Sequence, residues 1–199
     1  MPGPQLTGLD IADAPEPWEA LGFTIRDGTV ALKSVRLRLG GDGDGITAWS
    51  VSELPTDAGE IDGLPTYASP PGDAGDAHAN GALALDHVVV VSPDFERTAG
   101  ALEQNAMPLR RIRTAPGGTR QGFRRLGPVI LELIEAPQLA PGPARFWGLV
   151  VTVADLDGLA RRLEGRVSAP KDAVQPGRRI ATAGDIAGVS PRLAFMSPE

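Results

Sequence analysis

The sequence predicts an α+β fold of paired βαβββ modules. Dense β-branched runs begin at residues 85 and 146, and each is followed by an amphipathic helical segment and three strand-like segments. The aspartates at the start of the two helical segments, Asp94 and Asp155, are 61 residues apart (155 − 94). This spacing indicates an internal repeat of two modules, over residues 82–140 and 144–199.

The first module opens with LDHVVVV at residues 85–91, a composition typical of a strand buried on both faces. Apolar residues at helical spacing predict a helix over 94–105, with acidic residues in its first turn. Turn residues then separate three expected strands, near 108–114, 120–126 and 128–135.

The second module repeats this order. FWGLVVTV at residues 146–153 predicts its first strand, and the apolar face of residues 155–164 predicts a helix that stops at Gly165. Three further strands are expected near 166–170, 178–183 and 191–197.

Residues 55–81 are rich in Pro, Gly, Asp and Ala and have no apolar period, which is typical of a linker or long surface loop. They separate residues 1–54 from a domain at 82–199. Two interpretations of residues 1–54 remain open. The segment is either a third, degenerate βαβββ module or a β-rich extension that covers a sheet edge.

Composition limits the classes of function. The net charge of −6 disfavours a nucleic-acid partner, and the absence of cysteine excludes disulfides, thiolate nucleophiles and Cys-based metal sites. No signal peptide is recognisable, and no apolar run approaches the roughly 18 residues of a membrane span. Abundant Ala, Gly, Pro and Arg favour a bacterial source. We therefore expect a cytoplasmic bacterial protein with a small-molecule ligand.

The runs at residues 85–91 and 130–137 (ILELIEAP) resemble the first and fourth strands of the vicinal oxygen chelate (glyoxalase-like) superfamily. The first module is similar to the methylmalonyl-CoA epimerase and glyoxalase I pattern, and WGLVVTVAD at 147–155 resembles the opening of the second module. The resemblance covers 118 of 199 residues. It implies that the paired modules form a curved mixed sheet around a cleft. It also implies a divalent metal (Zn, Ni, Co, Mn or Fe) that binds two substrate oxygens and stabilises an enolate as a Lewis acid.

Only two of the four metal-ligand positions implied by the resemblance are kept. His87 matches the first-strand histidine, and Glu132 matches the fourth-strand glutamate, which makes Glu132 the candidate catalytic residue as well. A period of 61 places Gly148 at the position of the second histidine, and the second glutamate is expected near position 195, where the sequence has Phe195. Neither residue can bind a metal. The alternative to a metal site is a His87–Glu132 hydrogen bond between neighbouring strands.

Other residues are candidates for ligand binding. Arg178 and Arg179 follow the tight turn at 175–177 and suit a carboxylate or phosphate, although a solvated hairpin is the favoured interpretation. Trp147, Phe123 and Phe195 are candidate aromatic lining of an apolar pocket.

Six further arginines fall on the second and third strands of the first module, and such a basic patch attracts anionic ligands. The favoured alternative places them on the outer face of a half-buried sheet. They are Arg110, Arg111, Arg113, Arg120, Arg124 and Arg125.

The leading hypothesis is a glyoxalase-like protein that binds a small, partly apolar or anionic molecule in its cleft without the usual metal, as bleomycin-resistance-type members of the superfamily do. A divalent-metal-dependent lyase, isomerase or dioxygenase using His87 and Glu132 is the second hypothesis, so enzymatic activity is left open. A structural or regulatory partner protein is the third. The exposed edge strands of such sheets favour a homodimer.

Overall fold

The computed structural model describes residues 3–54 and 59–198. The first part of the chain forms β1 (Gln5–Ile11), α1 (Pro15–Ala20), β2 (Thr29–Leu32), β3 (Val35–Leu39), β4 (Ile46–Ser52), β5 (Glu60–Ile61) and β6 (Leu64–Ala68). The second part forms β7 (Ala82–Ser92), α2 (Phe95–Gln104), β8 (Arg111–Thr114), β9 (Arg120–Leu126), β10 (Val129–Glu135), β11 (Arg145–Val153), α3 (Leu156–Arg162), β12 (Lys171–Asp172), β13 (Arg179–Thr182) and β14 (Arg192–Met196). No helix among the described residues is long and apolar enough to cross a membrane.

The second part of the chain is a single eight-stranded sheet in the order β12-β13-β14-β11-β7-β10-β9-β8. The first strands of the two modules, β7 and β11, pair antiparallel at its centre. Each is flanked by the last strand of its own module, β10 or β14, in parallel pairing. This arrangement confirms the predicted paired βαβββ modules in an α+β fold.

The helices begin where the sequence predicts. The side chain of Asp94 accepts a hydrogen bond from the backbone N–H of Arg97, and that of Asp155 accepts one from the N–H of Gly158. Each aspartate is therefore an N-cap that satisfies a free donor of its first helical turn.

The strand expected at 166–170 is not formed as predicted, because only Val167 makes isolated bridges there. Its place is taken by the two-residue β12, which follows Pro170, a residue without an N–H for pairing.

The first part of the chain forms a six-stranded sheet in the order β2-β3-β1-β4-β6-β5. β1 and β4 pair antiparallel at its centre, with β3 parallel to β1 and β6 parallel to β4. This is the arrangement of the larger sheet, with one outer strand fewer on each side. We interpret it as a second pair of degenerate modules, an arrangement that neither interpretation of residues 1–54 includes.

The linker prediction is wrong for part of residues 55–81, because β5 and β6 lie within it. Residues 55–58 lie outside the described ranges.

Aromatic contacts join the two sheets. Trp49 packs edge-on against Phe146 with ring centroids 5.6 Å apart, and Phe23 stacks on Phe195 at 6.1 Å. The two sheets therefore share one apolar core.

Candidate functional site

His87 lies at a β-bulge at the centre of the larger sheet. His87 pairs with Val150 and Leu85 pairs with Val151, so Asp86 is an extra residue in β7. A bulge redirects side chains that would otherwise alternate between faces. Here it brings the Asp86 carboxylate into contact with Nδ1 of the buried His87 ring.

Nε2 of His87 lies 3.4 Å from the side-chain nitrogen of Gln175. A proton on Nδ1, next to Asp86, leaves Nε2 as the acceptor for the Gln175 amide. Asp86 thus fixes the orientation of the ring, as carboxylates that contact the distal nitrogen of functional histidines do. His87 contacts Asp86 and Gln175, so the hydrogen bond to Glu132 considered above is not among the contacts of the described residues.

Arg178 is buried beneath this pair. Its Nη2 donates to Asp86 Oδ1 at 2.7 Å, and its Nε donates to the Ser197 carbonyl at 3.0 Å. Thr152 also donates to Asp86 Oδ1, at 3.1 Å. Burial by itself raises the pKa of Asp86, but hydrogen bonds and electrostatic attraction from His87 and Arg178 outweigh it and hold the pKa well below its usual range. Arg178 is therefore engaged by the protein itself.

Glu132 shares the face of the sheet that carries His87. In the parallel pair β7–β10, His87 is opposite Ile130 and Val89 is opposite Glu132. Paired residues point to the same face, so the two candidate ligands are diagonal neighbours. Burial raises the pKa of Glu132, and the charges of His87 and Arg113 only partly oppose this.

The second module cannot supply the two missing ligands. Gly148 lies opposite Val89 in the antiparallel pair, where the internal repeat predicts the second histidine. A Cβ at Gly148 would overlap the carbonyl oxygen of Arg192 and lie 2.8 Å from the Arg192 Cβ, so the position excludes any side chain. The counterpart of Glu132 is Ala194, which pairs with Val150, and not Phe195, the residue expected at this position from the sequence.

The residues present do not fit the four-ligand metal centre that the resemblance implies. Among residues 3–54 and 59–198, no group of three or more His, Asp, Glu or Cys side chains is placed to hold a metal ion. His87 and Glu132 offer two donors, and two protein donors bind a divalent ion weakly. Asp86 is occupied by Arg178 and His87.

A pocket of about 410 Å³ opens above His87, and we call it the arginine pocket. Five of the six clustered arginines line it, and three of them, Arg110, Arg111 and Arg125, are exposed, which agrees with the outer-face interpretation. The sixth, Arg120, instead pairs with Glu96 and Glu135. The lining residues are His87, Arg110, Arg111, Arg113, Phe123, Arg124, Arg125, Ile130, Val174, Gln175 and Pro176.

Phe123 forms the aromatic part of the arginine pocket. The Arg113 guanidinium lies 5.0 Å from the centre of its ring. Arg113 Nε also donates to Gln121 Oε1 at 2.8 Å, which holds the guanidinium in place. Together, the Arg113 guanidinium and the Phe123 ring offer a ligand a positive charge next to an apolar surface. This combination suits a ligand that is both apolar and anionic.

The other candidate ligand residues lie outside the arginine pocket. Arg179 pairs with Asp157 on the surface, and Phe195 is fully buried against Phe23. Trp147 is half exposed in a separate crevice between the two sheets, beside Arg145. Sequence reasoning missed Asp86 and Gln175. The one available signal for Asp86 is its position next to His87.

No protein-family model matches the chain, and no curated protein matches it. Its fold is similar to that of methylmalonyl-CoA epimerase from Mycobacterium tuberculosis, with a TM-score of 0.50 and 17% identity over 61% of this chain and 91% of that chain. A triple variant of 4-hydroxymandelate synthase from Streptomyces coelicolor matches with a TM-score of 0.64 and 15% identity, over 100% of this chain and 93% of that one.

Both of these proteins are members of the vicinal oxygen chelate superfamily. The epimerase matches about three fifths of this chain, whereas the synthase matches both sheets. The resemblance seen in the sequence is therefore confirmed at the level of the fold, which the described residues share with the synthase across both sheets.

Proposed function

We propose that this chain binds a small, partly apolar and anionic molecule in the arginine pocket. The observation that carries the proposal is the composition of the pocket. Five arginines, His87, Phe123 and Ile130 surround about 410 Å³, and none of the lining residues is acidic. Pockets of this size accommodate metabolite-sized ligands.

The charge distribution supports the same conclusion. The protein carries a net charge of −6, yet the pocket concentrates positive charge. Such a local field draws anions to the pocket, and guanidinium groups bind carboxylates or phosphates through two parallel hydrogen bonds. Phe123 and Ile130 supply apolar surface for the remainder of the ligand.

Calorimetric titration with a panel of small carboxylates and phosphates tests the proposal. Arg125→Gln removes a pocket charge, and Arg162→Gln is a charge-matched control on the exposed end of α3. We expect at least one panel member to bind wild-type protein, with weaker binding to the Arg125 variant and unchanged binding to the control. Absence of binding by every member, or equal binding to both variants, would overturn the proposal.

A metal-dependent lyase, isomerase or dioxygenase is the second candidate. It is favoured by the placement of His87 and Glu132 on one face of neighbouring strands, with Asp86 orienting the histidine. The missing third and fourth donors weigh against it.

The third hypothesis, a partner protein with a filled cleft, conflicts with the open arginine pocket. The homodimer and the cytoplasmic location stay predictions, and sedimentation measurements check the former.

A further inference from the structure

The arginine pocket presents three guanidinium-bearing side chains on the face that carries His87. Arg111 pairs with Phe123, which pairs with Glu132, and Arg125 pairs with Ile130, which pairs with His87. Arg113 is two residues from Arg111 and shares its face. Arg111, Arg113 and Arg125 therefore surround Phe123 on the two outermost strands of the first module.

These three arginines have no carboxylate partner among the described residues. Seven of the other arginines form ion pairs, namely Arg26, Arg38, Arg97, Arg120, Arg178, Arg179 and Arg192. Seven more, including the control position Arg162, form none within the described residues. Glu132, which pairs with Phe123, supplies at most one negative charge on this face. The local excess of positive charge is thus left for something other than the protein to balance.

A ligand with a single carboxylate would neutralise one guanidinium and leave the other two facing each other. We infer that the ligand of the arginine pocket carries at least two negative charges, which Arg111, Arg113 and Arg125 hold, while its apolar or planar part lies on Phe123. This inference rests on the proposed function and specifies its ligand class. A phosphate group and a dicarboxylate share the required chemistry.

Calorimetric titration at constant ionic strength separates these cases with three probes. Pyrophosphate represents phosphates, succinate represents dicarboxylates, and benzoate is a singly charged planar anion. Each probe is titrated into wild-type protein and into Arg111→Gln, Arg113→Gln and Arg125→Gln. Arg162→Gln again serves as the charge-matched control outside the pocket.

We expect pyrophosphate or succinate to bind at least about tenfold more tightly than benzoate. Each pocket substitution is expected to weaken that binding by about tenfold and to weaken benzoate binding less, with no change in the control. The more tightly bound dianion identifies the chemistry as phosphate or dicarboxylate, and either result supports the inference.

Two results would overturn the inference, and they differ in what they leave standing. If benzoate binds as tightly as both dianions and is weakened equally by the pocket substitutions, the ligand is a monoanion and the proposed function survives. If none of the three probes binds at millimolar concentration, the inference is lost and the arginine pocket is not a general anion site.

Discussion

Asp86 and Arg178 form a buried ion pair directly beneath the cleft, with side-chain exposures of 13% and 7%. The pair holds His87 in orientation, because the same carboxylate contacts the imidazole. Breaking a buried pair by removing one partner is costly, since the remaining charge stays away from water. Surface pairs contribute far less.

Arg178→Met should lower the free energy of unfolding by about 3–5 kcal/mol because it leaves Asp86 buried without its main partner. The neighbouring Arg179 pairs with Asp157 at exposures of 43% and 51%, so Arg179→Met is the matched control. Its expected cost is about 1 kcal/mol or less. Urea unfolding at neutral pH measures both, and similar losses in the two variants would contradict the assignment.

Asp86 also predicts how stability depends on pH. Its pKa is depressed in the folded state, so its contribution is fully present above the ordinary value of 3.8 and is lost as the pH falls through the lower folded value. Asp86→Asn removes this contribution. The difference in urea midpoint between wild type and Asp86→Asn should be large at neutral pH and should shrink steadily below pH 3.8. A difference that stays constant into acid would be inconsistent with this pair.

At the residue level, the sequence singles out His87 and Glu132, which lie on one face of neighbouring strands, but it does not single out Asp86. Strict alternation along a strand places Asp86 and His87 on opposite faces. The bulge at Asp86 cancels that alternation, and a bulge depends on the pairing partner, which local sequence does not reveal. The ion pair between Arg178 and Asp86 also depends on long-range strand pairing, which local sequence does not reveal.

At the scale of single elements, β11 repeats the construction of β7. Its register shift lies between Phe146 and Gly148, which makes Trp147 the extra residue, 61 positions after Asp86. The period read from the sequence therefore holds for the first strands. It fails by one residue for the last strands, because the counterpart of Glu132 is Ala194, 62 positions later, and not Leu193. Phe195, expected at this site from the sequence, is the next residue along the strand. A shift of one residue moves a side chain to the other face, which is why Phe195 is in the core.

The close contact between β11 and β14 leaves no space for a side chain at Gly148. Gly148→Ala should destabilise the protein by about 1–3 kcal/mol, because the added methyl group overlaps the Arg192 backbone. Gly100→Ala in α2 is the control, since a Cβ there meets nothing within 4 Å and should stabilise the helix by about 0.5–1 kcal/mol. Thermal or urea unfolding distinguishes the two. Equal tolerance of both substitutions would show that β11 and β14 are less close than described.

At the scale of the whole molecule, two sheets of the same design pack through Trp49–Phe146 and Phe23–Phe195. The larger sheet could be predicted because its long β-branched strands carry a strong pattern. The smaller sheet could be predicted only in part, because β5 and β6 are only two and five residues long and depend on the pairing of β6 with β4 and of β5 with β6. Short strands of this kind are indistinguishable from loops in local sequence.

Phe195→Ala should cost about 3–5 kcal/mol, because the side chain is fully buried between the sheets. Both sheets should unfold in one transition, as their core is shared.

Phe123→Ala should lower the free energy of unfolding less than Phe195→Ala does. It should weaken ligand binding instead, because Phe123 lines the arginine pocket. Circular dichroism and calorimetric titration separate these effects. A ligand-binding defect in the Phe195 variant, without loss of stability, would contradict the assignment of Phe195 to the core.

The central claim is that the cleft binds an anion through its arginines and keeps only half of a metal centre. The most direct measurement is the metal content of protein purified without a chelator or affinity tag, together with the melting temperature after addition of Ni, Co, Mn or Zn. We expect metal far below one equivalent and no rise in melting temperature, in wild type and in His87→Ala alike. Near-stoichiometric metal that is lost in His87→Ala would contradict the claim and favour the metal-dependent enzyme.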